Sequence, residues 1–199
     1  MSEYRLRTPL SEEDVKKLRV GDIVYLSGII YTARDAAHRR MLDYLKEGKT
    51  LPFDLRGGAI FHCGPVAVKR DGEWVVIAGG PTTSTRMEVY EYDVIERLGV
   101  RMIIGKGGMG PRTAEACKRY GAVYATFTGG AGVLAAQSIK RVLDVYWLDL
   151  GIPEAVWVFE VEDFGPLVVA IDSTGRNLTE EVVKEAIARK ERLLGKTSP

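Results

Sequence analysis

The stretch Gly79-Gly80-Pro81-Thr82-Thr83-Ser84-Thr85-Arg86 compresses a turn, a helix start, a run of hydroxyls and a cation into eight residues. This is an anion site in outline, because a helix N-terminus offers unpaired N–H groups and a partial positive charge. A guanidinium beside it adds a planar fork suited to a carboxylate. Thr85 and Glu88 have capping-box spacing, so a helix is expected from there to about Leu98, with Arg86 in its first turn. A plain cap with a solvated Arg86 is the alternative reading. The same placement recurs in Thr32-Ala33-Arg34-Asp35-Ala36-Ala37-His38. There Thr32 and Asp35 have capping-box spacing, and Ala36, Ala37, Met41 and Leu45 mark one apolar face. A cation in a first helical turn opposes the dipole, so two such cases point to an anion that offsets the cost. His38, one turn on, reads as a surface or supporting residue and not a base.

A third cation, Lys106, lies in Gly105-Lys106-Gly107-Gly108-Met109-Gly110, between a strand-like run and a helix that starts at Pro111. The spacing Gly105-x-Gly107-x-x-Gly110 matches the dinucleotide fingerprint, which keeps a stand-alone dinucleotide- or phosphate-binding module open as a rival. The acidic residue expected about twenty positions later is missing, since nothing acidic falls between Glu115 and Asp144. A Walker A loop also fails, because Lys106 is followed by Gly107 and not by Ser or Thr. Two arginines and a lysine thus sit at junctions that an α/β arrangement gathers at one sheet edge. Three cations suit a small dicarboxylate. No metal set, histidine-carboxylate pair or nucleophile-base couple is visible in the chain.

The elements that must position these groups follow in order. A short capped helix over Leu10 to Arg19 precedes a strand over Asp22 to Gly28. Ala59 to Cys63 and Val66 to Arg70 read as strands, and Asp71-Gly72 signals a hairpin into Glu73 to Ala78. Strands over Arg101 to Ile104 and Val123 to Thr126 alternate with helices, which implies a mostly parallel sheet. Val142 to Trp147, Ala155 to Val161 and Leu167 to Ile171 add strands. Thr179 is expected to cap a last helix whose Val182, Val183, Ala186, Ile187, Leu193 and Leu194 pack down, with residues 195–199 frayed.

With 199 residues the chain reads as a single domain, 1–199. Its 28 basic and 27 acidic residues are not blocked by sign, which excludes a polyanion binder. No apolar stretch approaches a membrane span and the first residues carry no signal-like segment, so a cytoplasmic address is expected. Two cysteines, Cys63 and Cys117, are too few for a disulfide framework or a closed metal site and read as small core residues.

The motifs around Arg34, Thr82 to Met87 and Gly105 to Met109, with the later Asp149-Leu150-Gly151, resemble the β subunit, or C-terminal domain, of class I iron-sulfur fumarate hydratases and L-tartrate dehydratases. The resemblance runs from about Leu10 to Asp172. It implies an α/β fold, a swivelling β/β/α domain of mixed sheets with flanking helices. It implies a hydro-lyase that hydrates fumarate reversibly to malate, or alternatively dehydrates L-tartrate, and is active only with its partner. That partner, a cluster-bearing α subunit, would hold a [4Fe-4S] cluster in a hetero-oligomer such as a heterotetramer, this chain binding no cofactor or metal of its own. Carried over by motif, Arg34, Arg86 and Lys106 would bind substrate carboxylates, and Thr82 would be the proton-transferring hydroxyl, with Thr82 and Lys106 as the catalytic pair. For Thr82 the alternative is a hydrogen-bonding role, with the base on the partner.

Overall fold

The computed structural model describes residues 1–194, so the expected fraying of 195–199 lies outside the described residues. Nine strands and six α-helices follow one another as β1 (Glu3–Arg7), α1 (Glu12–Lys16), β2 (Ile23–Thr32), α2 (Asp35–Lys46), β3 (Ala59–Phe61), β4 (Val66–Arg70), β5 (Glu73–Ala78), α3 (Glu88–Leu98), β6 (Met102–Gly105), α4 (Pro111–Tyr120), β7 (Val123–Thr126), α5 (Gly132–Ser138), β8 (Ile139–Tyr146), β9 (Val156–Ile171) and α6 (Leu178–Leu194). A 3₁₀ turn over Ser84–Met87 leads into α3. The main sheet runs β1-β2-β3-β6-β7-β9-β8, and β9 returns to pair with β2, so the middle strands close into a ring. β4 and β5 form a separate hairpin turned by Asp71 and Gly72, both at positive φ as the Asp-Gly signal demands.

Strand alternation divides the apolar residues into two cores. Phe61, Met102, Ile104, Val123 and Ala125 face the inside of the ring with Trp157, Phe159 and Phe164. Phe61 and Phe127 each lie just over 5 Å from Phe164, centroid to centroid. Their strand neighbours Ile60, Ile103 and Tyr124 point the other way and pack under Ala37 and Met41 of α2, Val94 and Ile95 of α3, and Ala116 and Cys117 of α4. Two β layers and one helical layer result, in keeping with the expected α/β class.

β2, β3, β6 and β7 run parallel, with Thr32 beside Phe61, Phe61 beside Ile104, and Gly105 beside Thr126. Their carboxyl ends therefore lie at one level, and Arg34, His62 and Lys106 are each within two residues of it. The strand ends at Thr32 and Ile104 are two strand spacings, or about 10 Å, apart.

Three expectations are corrected. Ala155 to Val161 and Leu167 to Ile171 are parts of one strand, β9, because β2 stays paired through bulges across the apparent break. The last helix is capped by Asn177, not Thr179: the buried Asn177 Oδ1 accepts from the Thr179 amide at 3.1 Å. Its apolar residues do not pack down either, since Val182, Val183, Ile187, Leu193 and Leu194 are all at least half exposed and Ala186 is exposed too. α6 leaves the body after its first turn, and its periodicity describes a face that stays exposed among the described residues.

Candidate active site

Neither predicted capping box forms. Thr32, fully buried, uses its hydroxyl to accept from the Trp157 amide at 3.0 Å and ties β2 to β9. α2 begins at Asp35 with Arg34 as its N-cap and no side-chain cap. The Glu154 carboxylate takes that place, accepting from the Ala36 amide at 2.9 Å. Likewise the Thr85 hydroxyl donates to the Gly108 carbonyl at 2.8 Å, and Glu88 turns away to another helix. The Glu88 carboxylate accepts from the amides of Gly110, Arg112 and Thr113 at 2.7, 3.0 and 3.2 Å and from the Thr113 hydroxyl at 2.6 Å. A Cβ on Gly110 would sit 2.6 Å from Glu88 Oε1, which is why glycine stands there. The N-terminus of α4, where the dinucleotide reading needs a pyrophosphate, is thus filled by the chain's own carboxylate.

The two arginines meet in one ion-pair network. Arg86 donates to Asp35 through Nη2 at 2.5 Å and Nε at 3.3 Å, and Asp35 directly follows Arg34. Arg34 Nε lies 3.2 Å from Glu154 Oε1, an ion pair without hydrogen-bond alignment. Burial would raise the Asp35 pKa, but the Arg86 hydrogen bond, a backbone hydrogen bond and the charges of Arg86 and Arg34 together outweigh it and hold the carboxyl below its usual value. Arg86 is half exposed and Arg34 about a quarter exposed, so both present charge to the surface of this edge.

Thr82 and Lys106 are joined to the same place through the backbone. The Thr82 amide donates to the His62 carbonyl at 2.6 Å, Thr83 bridges to Lys106, and the Ser84 amide donates to the Lys106 carbonyl at 3.0 Å. Among the described residues no carboxylate pairs with Lys106. Asp35 and Glu154 thus engage Arg86 and Arg34, while Lys106, on the same sheet edge, adds a positive charge with no carboxylate partner among the described residues.

Beneath this surface lies a buried polar cluster, contrary to the expectation that no histidine-carboxylate pair is present. Glu91 Oε1 is 2.6 Å from His62 Nε2 and 2.8 Å from His38 Nε2, and all three side chains are fully buried. His38 Nδ1 lies 2.8 Å from the Arg34 carbonyl, and His62 Nδ1 lies 2.9 Å from the Ser84 hydroxyl. A carbonyl only accepts, so His38 carries a proton on Nδ1, and facing a carboxylate through Nε2 makes it an imidazolium. A neutral His62 with its proton on Nε2 satisfies both of its contacts, donating to Glu91 and leaving Nδ1 to accept from the Ser84 hydroxyl. The electrostatics agree: burial opposes the charge on His38, but Glu91, with help from the Arg34 carbonyl and Asp35, outweighs it and lifts its pKa. On His62 burial prevails and lowers it. Burial alone would raise Glu91, yet the two imidazoles bring it down to about 2.

Comparison with known proteins decides what this arrangement belongs to. The model of the family described as "Fumarase C-terminus" matches residues 1–182. The chain belongs to this family. It is 47% identical over 176 residues to the "L(+)-tartrate dehydratase subunit beta" of Escherichia coli strain K12, covering 88% of this chain and 86% of that one. It is 49% identical over 187 residues to the "Putative L(+)-tartrate dehydratase subunit beta" of Methanocaldococcus jannaschii, covering 94% and 96%. A "Putative fumarate hydratase class I" of Geobacillus stearothermophilus is 44% identical over 185 residues, which span 92% of this chain but 35% of that longer protein.

Two sets of side chains in this chain have the chemistry to hold a cluster or a metal ion, and their surroundings differ. The two cysteines do not fit cluster ligation: Cys63 lies in the ring core and Cys117 in the helical core, and burial pushes the Cys63 thiol up to about 12. His38, His62 and Glu91 are types that hold zinc, but their contacts of 2.6 and 2.8 Å are hydrogen-bond lengths. A tetrahedral ion bound at about 2.0–2.1 Å would spread its ligands to about 3.3 Å.

The ion-pair partners Asp35 and Glu154 and the whole buried cluster escaped the sequence reading. One signal was present: Glu91 shares a helical stripe with Met87, Val94 and Ile95, and His38 shares one with Ala37, Met41 and Leu42. A titratable residue on an apolar stripe is a buried group in want of partners. Among the described residues no helix is long and apolar enough to cross a membrane.

Proposed function

We propose that the chain is the β subunit of a hydro-lyase acting on a four-carbon dicarboxylate, hydrating fumarate reversibly to malate in a site shared with a second subunit. The observation that carries this reading is the meeting of Arg34 and Arg86 around Asp35 and Glu154, at the sheet edge that also bears Thr82 and Lys106. In this reading the substrate carboxylates compete for guanidinium groups that Asp35 and Glu154 engage in the chain by itself. During removal of a proton from the carbon beside a carboxylate, negative charge moves onto that carboxylate. Arg86 and Lys106, already oriented, stabilise the charge as it forms, and losing one such donor typically costs about 3–4 kcal/mol in the barrier. Thr82 stands next to them as the proton-transferring hydroxyl, its alkoxide favoured by the surrounding cations.

The reacting hydroxyl needs a Lewis acid, the role of a [4Fe-4S] cluster in this reading. Neither cysteine of this chain is placed to hold it, so the cluster is assigned to the partner α subunit. The name "subunit beta" carried by full-length relatives supports a two-chain enzyme, and the longer Geobacillus relative supports the same activity on one chain. L-tartrate dehydration is the second reading, favoured because the relatives matched over most of their length bear that name. The test is anaerobic reconstitution with the partner subunit, followed by assay on fumarate, malate and L-tartrate. Activity on fumarate and malate that Arg86→Ala removes supports the first reading. Turnover of L-tartrate alone establishes the second, and full activity in Arg86→Ala overturns the site.

A further inference from the structure

The buried cluster and the surface cations are connected by a single run of contacts. His38 holds the carbonyl of Arg34. Glu91, on α3, joins His38 to His62. The His62 ring holds the Ser84 hydroxyl, and its carbonyl holds the Thr82 amide. The Ser84 amide in turn holds the Lys106 carbonyl, two residues before Arg86. The fit around Ser84 is tight: a Cβ on Gly105 would lie 1.8 Å from its Oγ, so β6 passes directly against this hydroxyl. Tyr90 stacks on His38 at 5.9 Å and closes the cluster on that side. Each of the four predicted site residues is therefore one backbone group, or two residues, away from this run.

We propose that His38, His62, Glu91 and Ser84 are positioning residues, a buried polar chain that sets the spacing of the junctions bearing Arg34, Thr82, Arg86 and Lys106. The proposal rests on the dicarboxylate reading for its consequence in catalysis, but the chain itself can be observed without activity. It contains the only two histidines of the sequence, so both rings are resolved in one ¹⁵N spectrum of the histidine-labelled full chain. Near neutral pH the expected spectrum shows one ring protonated on both nitrogens, His38, and one neutral Nε2–H tautomer, His62. In Glu91→Gln the arginine Nε–H resonances of Arg34 and Arg86 shift, since both hang on the chain.

In the reconstituted pair, Ser84→Ala and Glu91→Gln lower kcat by about tenfold to hundredfold, as for a displacement of about 1 Å at the reacting groups. KM changes less, because fixed cations matter most where charge develops. Kinetics unaltered in both variants, with Arg86→Ala inactive, overturn the positioning role and leave the reading intact. Full activity in Arg86→Ala overturns the reading, while the arginine resonances still decide the positioning chain. Two rings titrating as ordinary histidines, or one equivalent of tightly held zinc in the full chain, overturn the proposal outright.

Discussion

Replacing Glu91 by glutamine keeps the shape of the side chain and removes the charge that does most to favour a buried imidazolium. In the native protein Glu91 lifts the His38 pKa, while burial lowers that of His62. Unfolded, both rings titrate near 6.5. Below that value the unfolded chain binds two protons at these rings and the folded chain one, so stability drops by about 1.4 kcal/mol for each unit by which the pH is lowered. In Glu91→Gln the folded chain binds neither, and the slope doubles to about 2.7 kcal/mol per unit. Above 6.5 the native advantage from His38 is lost as pH rises toward its elevated folded pKa, whereas the variant has no such advantage to lose. The gap between the two proteins therefore narrows by about 1.4 kcal/mol per unit from pH 5 upward until that pKa is passed. At the acid end it approaches the cost of about 3–5 kcal/mol for orphaning one member of a buried pair. Urea unfolding of both full chains at unit steps between pH 5 and 8 measures the gap directly. That range stays above the ordinary carboxylate pKa, clear of the region where Glu91 itself, held at about 2, contributes. Glu115→Gln, on the exposed side of α4, serves as the control with a constant gap. A pH-independent gap for Glu91→Gln would place the proton elsewhere and refute the charge assignment.

Further outcomes follow from other contacts. Glu88→Ala removes the carboxylate that caps α4 and lowers unfolding free energy by about 1–2 kcal/mol, or about 2–8 °C in Tm, read by thermal denaturation. With Glu88 in place, calorimetry of the chain with NAD, NADP or ATP gives no heat of binding, and a micromolar association would reverse the conclusion about that loop. Arg86→Lys in the reconstituted enzyme loses most of the activity that Arg86→Ala loses, because an ammonium cannot reproduce a two-point contact with a carboxylate. Thiol titration at pH 8 finds neither cysteine in the native chain and both after denaturation, since Cys63 and Cys117 are buried with raised pKa values. Rapid native labelling of Cys63 would contradict its place in the core.

Much of the framework was legible because it depends on local rules. Asp71-Gly72, Pro111 at the start of α4 and Gly121 at its end each do what backbone sterics require, and β7 runs over the residues expected of it. The junction cations were legible for the same reason, since strand, glycine and helix signals fixed their place at the sheet edge. What failed was assignment of partners. Thr32 and Thr85 have ideal spacing for capping boxes, yet tertiary contacts with Trp157 and Gly108 claim their hydroxyls. Glu88 and Glu154 do the capping from 22 and 118 residues away, a distance over which spacing carries no information. α6 shows the opposite limit, because its apolar periodicity was real while periodicity alone does not say whether a face is covered, and the described residues leave this one exposed.

Burying two imidazoles and a carboxylate is a poor way to stabilise a core, since apolar residues of similar volume usually do as well or better. Here the expensive groups sit beneath three junctions that carry like charges, Arg34, Arg86 and Lys106. Those charges repel one another, and the carboxylates on the surface, Asp35 and Glu154, offset the repulsion only by occupying the guanidinium groups that a dicarboxylate would need. A rigid support from below removes that conflict. If a dicarboxylate draws the arginines away from Asp35 and Glu154, as the proposed function has it, the support holds the junctions at fixed spacing, so the loss of those ion pairs need not loosen the site. Hydrogen bonds from His38 to the Arg34 carbonyl, from His62 to Glu91 and between His62 and Ser84, joined by the close His38–Glu91 ion pair, specify such a spacing, which an apolar contact of equal stability would leave free to slide.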